Sequence, residues 1–331
     1  MSSRGAGAGS GERPAFRADR LSYAYPGRSA RALDGVEAAC PRGAVLGLMG
    51  PNGSGKSTLL ALLATSLRPD AGRLELLGRP APPGAGVRRR IATVFDSSPF
   101  ADALSGRENV VRLLELRGIG PGEARRRADR WLRRFGLGPR ADDPVETHSH
   151  GMRRRTDLAA ALAARPELLL LDEPLSGLDA ASRRTLSAAL EGLTDRGGAA
   201  VIAEHAPRFL ASACDEVAFL VEGRIPARGA PAELMAGVGA GTTVTVGVEP
   251  GSGRAAPGRP APADLPPGVE LVGRTGAGEL RFRTAGSGRL PGLCEAVLDA
   301  GWEIGSVRVR RPDLDDAFLA RTGRSAAEPT S

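Results

Sequence analysis

Lysine is all but missing from this chain: Lys56 is the sole one among 45 basic side chains, the rest being arginine. Cysteine is scarce as well. Cys40, Cys214 and Cys294 lie far apart and fit no metal or redox spacing, which excludes a cysteine-built centre and points to buried thiols in a reducing compartment. Aromatics are few, with two Trp, two Tyr and eight Phe. No apolar run approaches the ~20 residues that span a bilayer, so any work at a membrane calls for a separate spanning polypeptide. The stretch Met1–Ser10 has no apolar segment of the secretory kind, which predicts no signal peptide. Acid is in mild deficit, and the net charge of +7 suits a nucleic-acid surface, an anionic membrane surface, or plain solubility.

What is present is a length of 331 residues, enough for one large and one smaller domain. One stretch organises them. Gly50-Pro51-Asn52-Gly53-Ser54-Gly55-Lys56-Ser57-Thr58 follows the apolar run Ala44–Met49 and precedes Leu59–Leu63. Strand, glycine-rich loop and helix is the context a phosphate-binding P-loop requires. Glycines let successive N–H groups turn inward, and the helix adds the positive end of its dipole. Lys56 then supplies a compact charge to the β- and γ-phosphates, and the Ser57 hydroxyl a ligand for Mg²⁺. A forked guanidinium cannot replace that ammonium in a tight anion nest, which explains the one lysine in an arginine-rich chain. GTPases read guanine with a second lysine, and this chain has none.

Along the chain, residues 1–15 read as a disordered Gly/Ser/Arg tail and 325–331 as a polar one. Strands are expected at 16–25, 73–77 and 91–95. From about 100 to 165 the period is helical. Ala124, Ala128, Trp131, Leu132 and Phe135 share one face, and Arg125, Arg126, Arg127, Arg130, Arg133 and Arg134 the other. That basic face is either solvated or meets a partner or lipid head groups. Glu167–Leu171 closed by Asp172-Glu173-Pro174 is a buried parallel strand with carboxylates at its ligand-binding end. A helix at 180–195, a strand at 199–203 ending at Glu204-His205, and a strand at 216–221 follow. After 236 the composition shifts. A β-β-β-α-β-α order, interrupted by a Pro/Gly-rich loop at 250–268, predicts a small α+β domain over 237–324.

Over about residues 16–236 the chain resembles the nucleotide-binding subunit of ATP-binding cassette (ABC) transporters, most of all the single-cassette ATPases of daunorubicin-resistance-type exporters. Their C-terminal extensions end much as Pro312–Arg324 does here. The resemblance implies an α/β fold: a P-loop NTPase cassette with a parallel-sheet core, an antiparallel β subdomain and a helical subdomain, followed by the α+β domain. It implies ATP and Mg²⁺ as ligands. Asp172 and Glu173 match the Walker B pair, the first with Ser57 on Mg²⁺ and the second as general base for the attacking water. Ser176-Gly177-Leu178-Asp179 matches the D-loop. His205, thirty-two residues after Glu173, matches the switch histidine that contacts the γ-phosphate. His148-Ser149-His150-Gly151-Met152 occupies the place of the signature Leu-Ser-Gly-Gly-Gln. Ser149 and Gly151 are retained and would face ATP held by the partner cassette. Tyr25 aligns with the aromatic that stacks on adenine, with Tyr23 as the fallback.

Two positions depart from the family pattern. His150 replaces a signature glycine and is expected to face outward, or else to add a cation near the phosphate. Asp96 falls where the family has the glutamine that touches Mg²⁺ and relays nucleotide state to the membrane partner, so coupling is expected to differ there. The resemblance implies an ATPase that powers a separate transmembrane permease from the inner face of the cell membrane. It would do so as a cytoplasmic dimer, of two identical chains in the simplest case. The cargo class is a drug, antibiotic or other hydrophobic small molecule, and no nucleic acid is expected. Two other readings stay open at this point: a soluble cassette ATPase acting on ribosomes or nucleic acid, and an ATP-sensing subunit with a degenerate site.

Overall fold

In the computed structural model, which describes residues 13–28, 30–236, 242–250, 262, 264–275, 279–284, 287–310 and 312–324, the apolar runs become the strands that carry the site. The chain divides into two compact units, residues 1–231 with 324–331, and residues 232–323.

The first unit opens with β1 (Phe16–Tyr23) and β2 (Leu33–Cys40), then β3 (Val45–Met49) and α1 (Lys56–Leu63). Next come β4 (Ala71–Leu76), the short β5 (Arg79–Pro80), α2 (Ala85–Arg88) and β6 (Ile91–Val94). Three helices follow, α3 (Gly106–Leu116), α4 (Pro121–Arg134) and α5 (His150–Ala163). The unit continues through β7 (Leu168–Asp172), α6 (Ala180–Thr194), β8 (Ala199–Ala203), α7 (Pro207–Ala213), β9 (Glu216–Val221) and β10 (Arg224–Gly229).

Two sheets result. One is antiparallel, in the order β2-β1-β4-β5; the other has six strands in the order β10-β9-β3-β8-β7-β6. In the second, β9, β3, β8, β7 and β6 are parallel neighbours and β10 is an antiparallel edge. Every residue of β3, β7 and β8 is buried, as continuous apolar runs in a sheet covered on both faces must be. Each leucine of Leu168–Leu171 contributes about 1.5–3 kcal/mol through that burial. Between the sheets, Phe16, Leu21, Leu33, Val36 and Leu76 pack on Leu59, Leu60, Leu62 and Leu63 of α1. That core fixes the loop between β3 and α1.

The helical layer starts at Ser105, whose side chain closes a capping box with Glu108. In α4, Ala124, Ala128 and Leu132 are buried, as the helical period requires. Two members of the expected faces differ. Trp131 is half-buried, with the Arg134 guanidinium 4.9 Å from its ring centroid. Arg127 turns in to Glu123 at 2.6 Å and leaves Arg125, Arg126, Arg130, Arg133 and Arg134 as the exposed basic face.

Most of the expected N-terminal tail, and all of 325–331, lies outside the described residues. Ala15 corrects that expectation: it is fully buried, donates to Cys40 O at 2.8 Å and accepts from Leu77 N at 2.8 Å. Most of the Pro/Gly-rich loop also lies outside the described residues. Among the described residues no helix is long and apolar enough to cross a membrane.

The second unit takes in α8 (Pro231–Ala236) beyond its first residue. It continues with β11 (Thr242–Pro250), β12 (Val269–Thr275), β13 (Glu279–Thr284), α9 (Leu290–Asp299), β14 (Trp302–Arg310) and α10 (Leu314–Thr322). Its antiparallel sheet runs β12-β13-β11-β14. Leu293 and Val297 of α9 pack on Val244, Val246, Val248, Leu280 and Phe282. This is a two-layer α+β arrangement with its own core.

Candidate nucleotide site

The parallel pairing brings the ends of β3, β7 and β8 together, because Asp172 pairs with Ala203 and Leu48 with the same residue. The loop after β3 needs its glycines for space. A Cβ on Gly50 would stand 2.0 Å from Leu220 O, and one on Gly55 2.5 Å from Ala32 O. Gly55 also has φ 107°, which an L side chain rarely adopts. Ser54 Oγ is wholly buried and has no hydrogen-bond partner, a cost offset only if the loop receives an acceptor or donor there. Asn52, Gly53 and Ser57 are exposed, while Pro51 and Thr58 are buried.

Lys56 begins α1. Its Nζ donates to Gly50 O at 2.6 Å and to Pro51 O at 2.9 Å, so the ammonium sits inside the loop's own curl. Burial lowers its pKa, and the carboxylates of Glu173, Asp172 and Glu204 oppose that shift. Three members of the expected constellation, Lys56, Asp172 and Glu173, therefore share one electrostatic environment with Glu204. Asp172 is buried at the end of β7, and burial raises its pKa, opposed by the nearby Ser57 hydroxyl. Ser57 and Asp172 are the hard oxygen donors beside the loop.

Glu173 leaves the strand in the left-handed region, with φ 45°. Its N–H donates to Ala203 O at 2.8 Å, and its carboxylate Oε1 stands 3.2 Å from His205 Nε2. His205 is held in turn by Glu204, whose Oε1 accepts the His205 N–H at 2.8 Å and whose Oε2 accepts the Leu175 N–H at 3.2 Å. Glu204, buried, thus pins the end of β8 to the turn after β7. In the sequence it is only the residue before the histidine.

Ser149 is the N-cap of α5, accepting from Met152 N at 3.3 Å. Gly151 meets the D-loop of the same chain: a Cβ there would lie 2.4 Å from Gly177 O. Gly177 itself has φ 68°. Asp179 caps α6 through Ser182 N at 2.7 Å and lies 3.9 Å from Arg155 Nη1. The two outlying histidines differ from each other. His148 is buried with neither ring nitrogen hydrogen-bonded, and burial lowers its pKa. His150 is exposed but does not simply face outward: its Nε2 stands 3.2 Å from Ser176 Oγ, so it bridges signature and D-loop.

Asp96 is exposed, two residues past β6. Tyr25 is 40% exposed, its hydroxyl 3.2 Å from Thr58 Oγ1, whereas Tyr23 is buried edge-on against it. Of the pair, Tyr25 is the exposed one and so the one able to meet a flat ligand. Sequence reasoning passes over three further residues, Arg154, Asp157 and Ser98. Ser98 Oγ donates to Asp157 Oδ1 at 2.7 Å, and burial pushes the Asp157 carboxyl up to about 6. The available signal is periodicity: Arg154 and Asp157 fall on the stripe of α5 that carries Leu158, Ala161 and Leu162.

The family model described as ABC transporter matches residues 33–176. The daunorubicin resistance ATP-binding protein DrrA3 of Streptomyces coeruleorubidus is 37% identical over 298 residues, covering 88% of this chain and 92% of that protein. The daunorubicin/doxorubicin resistance ATP-binding protein DrrA of Streptomyces peucetius is 34% identical over 302 residues, 89% of each. Among solved structures, CbiO1 from Clostridium perfringens, described as part of the ABC transporter complex CbiONQ, superposes with TM-score 0.59. It shares 29% identity, over 68% of this chain and 92% of that one. The chain belongs to the ATP-binding subunits of ABC transporters, the ATPases whose hydrolysis of ATP is coupled to transport.

Proposed function

We propose that this chain binds ATP with Mg²⁺ at the loop between β3 and α1, and that its hydrolysis drives export of a drug, antibiotic or other hydrophobic small molecule. The single observation that carries the reading is that Lys56, Asp172, Glu173 and His205 meet at one end of one sheet. Ser57 and Asp172 fit the cation, being a hydroxyl and a carboxylate close enough for the one to lower the pKa of the other. When bound, Mg²⁺ neutralises charge on the β- and γ-phosphates. Lys56 would add a point charge to the same oxygens, and backbone N–H groups at the start of α1 would bind the rest. Glu173 takes the proton of the attacking water at its carboxylate. His205 Nε2, hydrogen-bonded to that carboxylate, orients it toward the γ-phosphate.

The family's members dimerise and act with transmembrane permeases. Here two identical chains would each complete the other's site with Ser149 and Gly151, at the inner face of the cell membrane and without nucleic acid. The export assignment rests on the two Streptomyces relatives, whose descriptions concern daunorubicin and doxorubicin resistance. Glu173→Gln tests the chemistry. Turnover should fall at least ~100-fold while an ATP-dependent dimer accumulates in size-exclusion chromatography. Turnover at the wild-type rate would remove Glu173 from the role. For the cargo, drug accumulation is measured in cells carrying the chain and its co-purified permease; accumulation unchanged by their expression counts against export.

A further inference from the structure

Three arginines stand in a row at 153–155, and the fold spends them differently. Arg153 pairs with Asp102 at 2.8 Å, partly exposed. Arg155 reaches Gly151 O at 3.2 Å. Arg154 is turned into the protein and is 5% exposed. Its guanidinium is committed to main-chain carbonyls. Nη1 donates to Phe95 O at 2.6 Å; Nη2 donates to Glu173 O at 2.7 Å and to Asp172 O as well. Among the described residues no carboxylate lies within ion-pair distance of it, and its Nε has no partner. Burying a cation in this way is costly unless the fold needs what it holds.

What it holds is the strained turn at Glu173. A non-glycine residue at φ 45° costs on the order of 1–2 kcal/mol and persists only where its neighbours over-determine it. Here both sides of the residue are fixed. The N–H is tied to Ala203 O at 2.8 Å, and the carbonyl accepts from Arg154 and, at 3.2 Å, from Ser176 N. That conformation is what swings the carboxylate off the strand end to stand 3.2 Å from His205 Nε2. The same guanidinium grips Phe95 O, the residue before Asp96.

We infer that Arg154 is the positioning residue of the hydrolytic step: it locks the Glu173 backbone in its left-handed turn, so aiming the carboxylate, and ties that aim to the segment leading into Asp96. The inference rests on the reading of Glu173 as general base. Arg154→Lys and Arg154→Gln test it, since an ammonium or an amide cannot span three carbonyls as the fork does. ATP affinity is measured by equilibrium binding, hydrolysis by kcat and by single turnover. Both variants should lose about tenfold or more in kcat, as misplacement of a reacting group by ~1 Å does, with ATP affinity within about twofold of wild type. In the Glu173→Gln background, Arg154→Lys should cost no further hydrolysis, because it acts through the residue already removed. Three results would overturn the inference: affinity falling in step with kcat in both variants, kcat unchanged in both, or losses that multiply in the double variant. Glu173→Gln alone separates the two levels, because wild-type turnover in it would sink the base reading before Arg154 is considered.

Discussion

Glu173 Oε1 and His205 Nε2 stand 3.2 Å apart, although they come from neighbouring strands and thirty-two residues separate them. Neither group is held by its own side chain alone. Glu173 is set by its turn and His205 by Glu204 beneath it. His205→Ala should therefore lower kcat by at least ~10-fold with ATP affinity retained, as loss of one positioned hydrogen-bonding group does. Paired ATPase and nucleotide-binding measurements check this. An equal loss in both would make His205 a binding group instead.

Lys56 should tolerate no replacement, including the charge-preserving one. Its Nζ fits within 2.6 and 2.9 Å of two carbonyls in a buried curl, and a guanidinium is too wide for it. Lys56→Arg and Lys56→Ala should both lose ATP binding by ~100-fold or more. Calorimetric titration with ATP and Mg²⁺ reads the difference, and tight binding by the arginine variant would contradict the fit.

Asp157 makes stability depend on pH in a defined direction. Burial raises its folded pKa to about 6 from 3.8. The folded state therefore holds the proton more tightly than the unfolded chain does. The stabilising effect of that proton is full below the unfolded value and disappears as pH rises through about 6. Asp157→Asn keeps an acceptor for Ser98 and removes the titration. Relative to wild type it should gain on the order of 2–3 kcal/mol at pH 8 and about 0.5 kcal/mol at pH 4. Urea unfolding of both proteins at the two pH values gives the comparison. A gain independent of pH would mean the carboxyl does not titrate in this window.

Gly151 should not accept a methyl group. Its Cβ would meet Gly177 O at 2.4 Å, a backbone atom that moves only with the whole D-loop. Gly151→Ala, made in the Glu173→Gln background, should weaken the ATP-dependent dimer by ~10-fold and leave ATP binding to the single chain unchanged. Sedimentation velocity with and without ATP measures it. An unchanged dimer would mean signature and D-loop move freely of each other.

The thiols should divide by burial. Burial pushes Cys40 up to about 12 and raises Cys214 as well, whereas Cys294 is only half-buried. Ellman's reagent at pH 8 should find one fast thiol in the native protein and three in denaturant. Two or more fast thiols would show that the core around β3 opens on the time scale of the assay.

Much of the candidate nucleotide site was legible in the sequence because its determinants are local. β3 and β7 read as unbroken apolar runs since both faces of a parallel sheet are covered, and the acids at 172 and 173 mark the end where a ligand binds. The glycines of the loop follow from conformation, which depends on a few neighbouring residues, whereas Ser149 and Asp179 follow from the resemblance to the cassette family and stand in the structure as the N-caps of α5 and α6. β2 was harder. Its pairing with β1 is interrupted by register shifts, so strict alternation fails between Leu33 and Val36. Arg154 was hidden by its company, since three arginines in succession look like a solvated face until the period of α5 is laid over them. Glu204 and Ser98 are set by contacts distant in sequence, with Leu175 and Asp157, and no local pattern encodes those.

The near-absence of lysine, together with the seating of Lys56 inside the loop, has a practical corollary. Apart from its amino terminus, the polypeptide offers a single aliphatic amine, and that amine sits inside the curl of the loop between β3 and α1. On the proposed reading, amine-directed reagents then find one buried internal target rather than a general surface stain, and bound ATP shields it further.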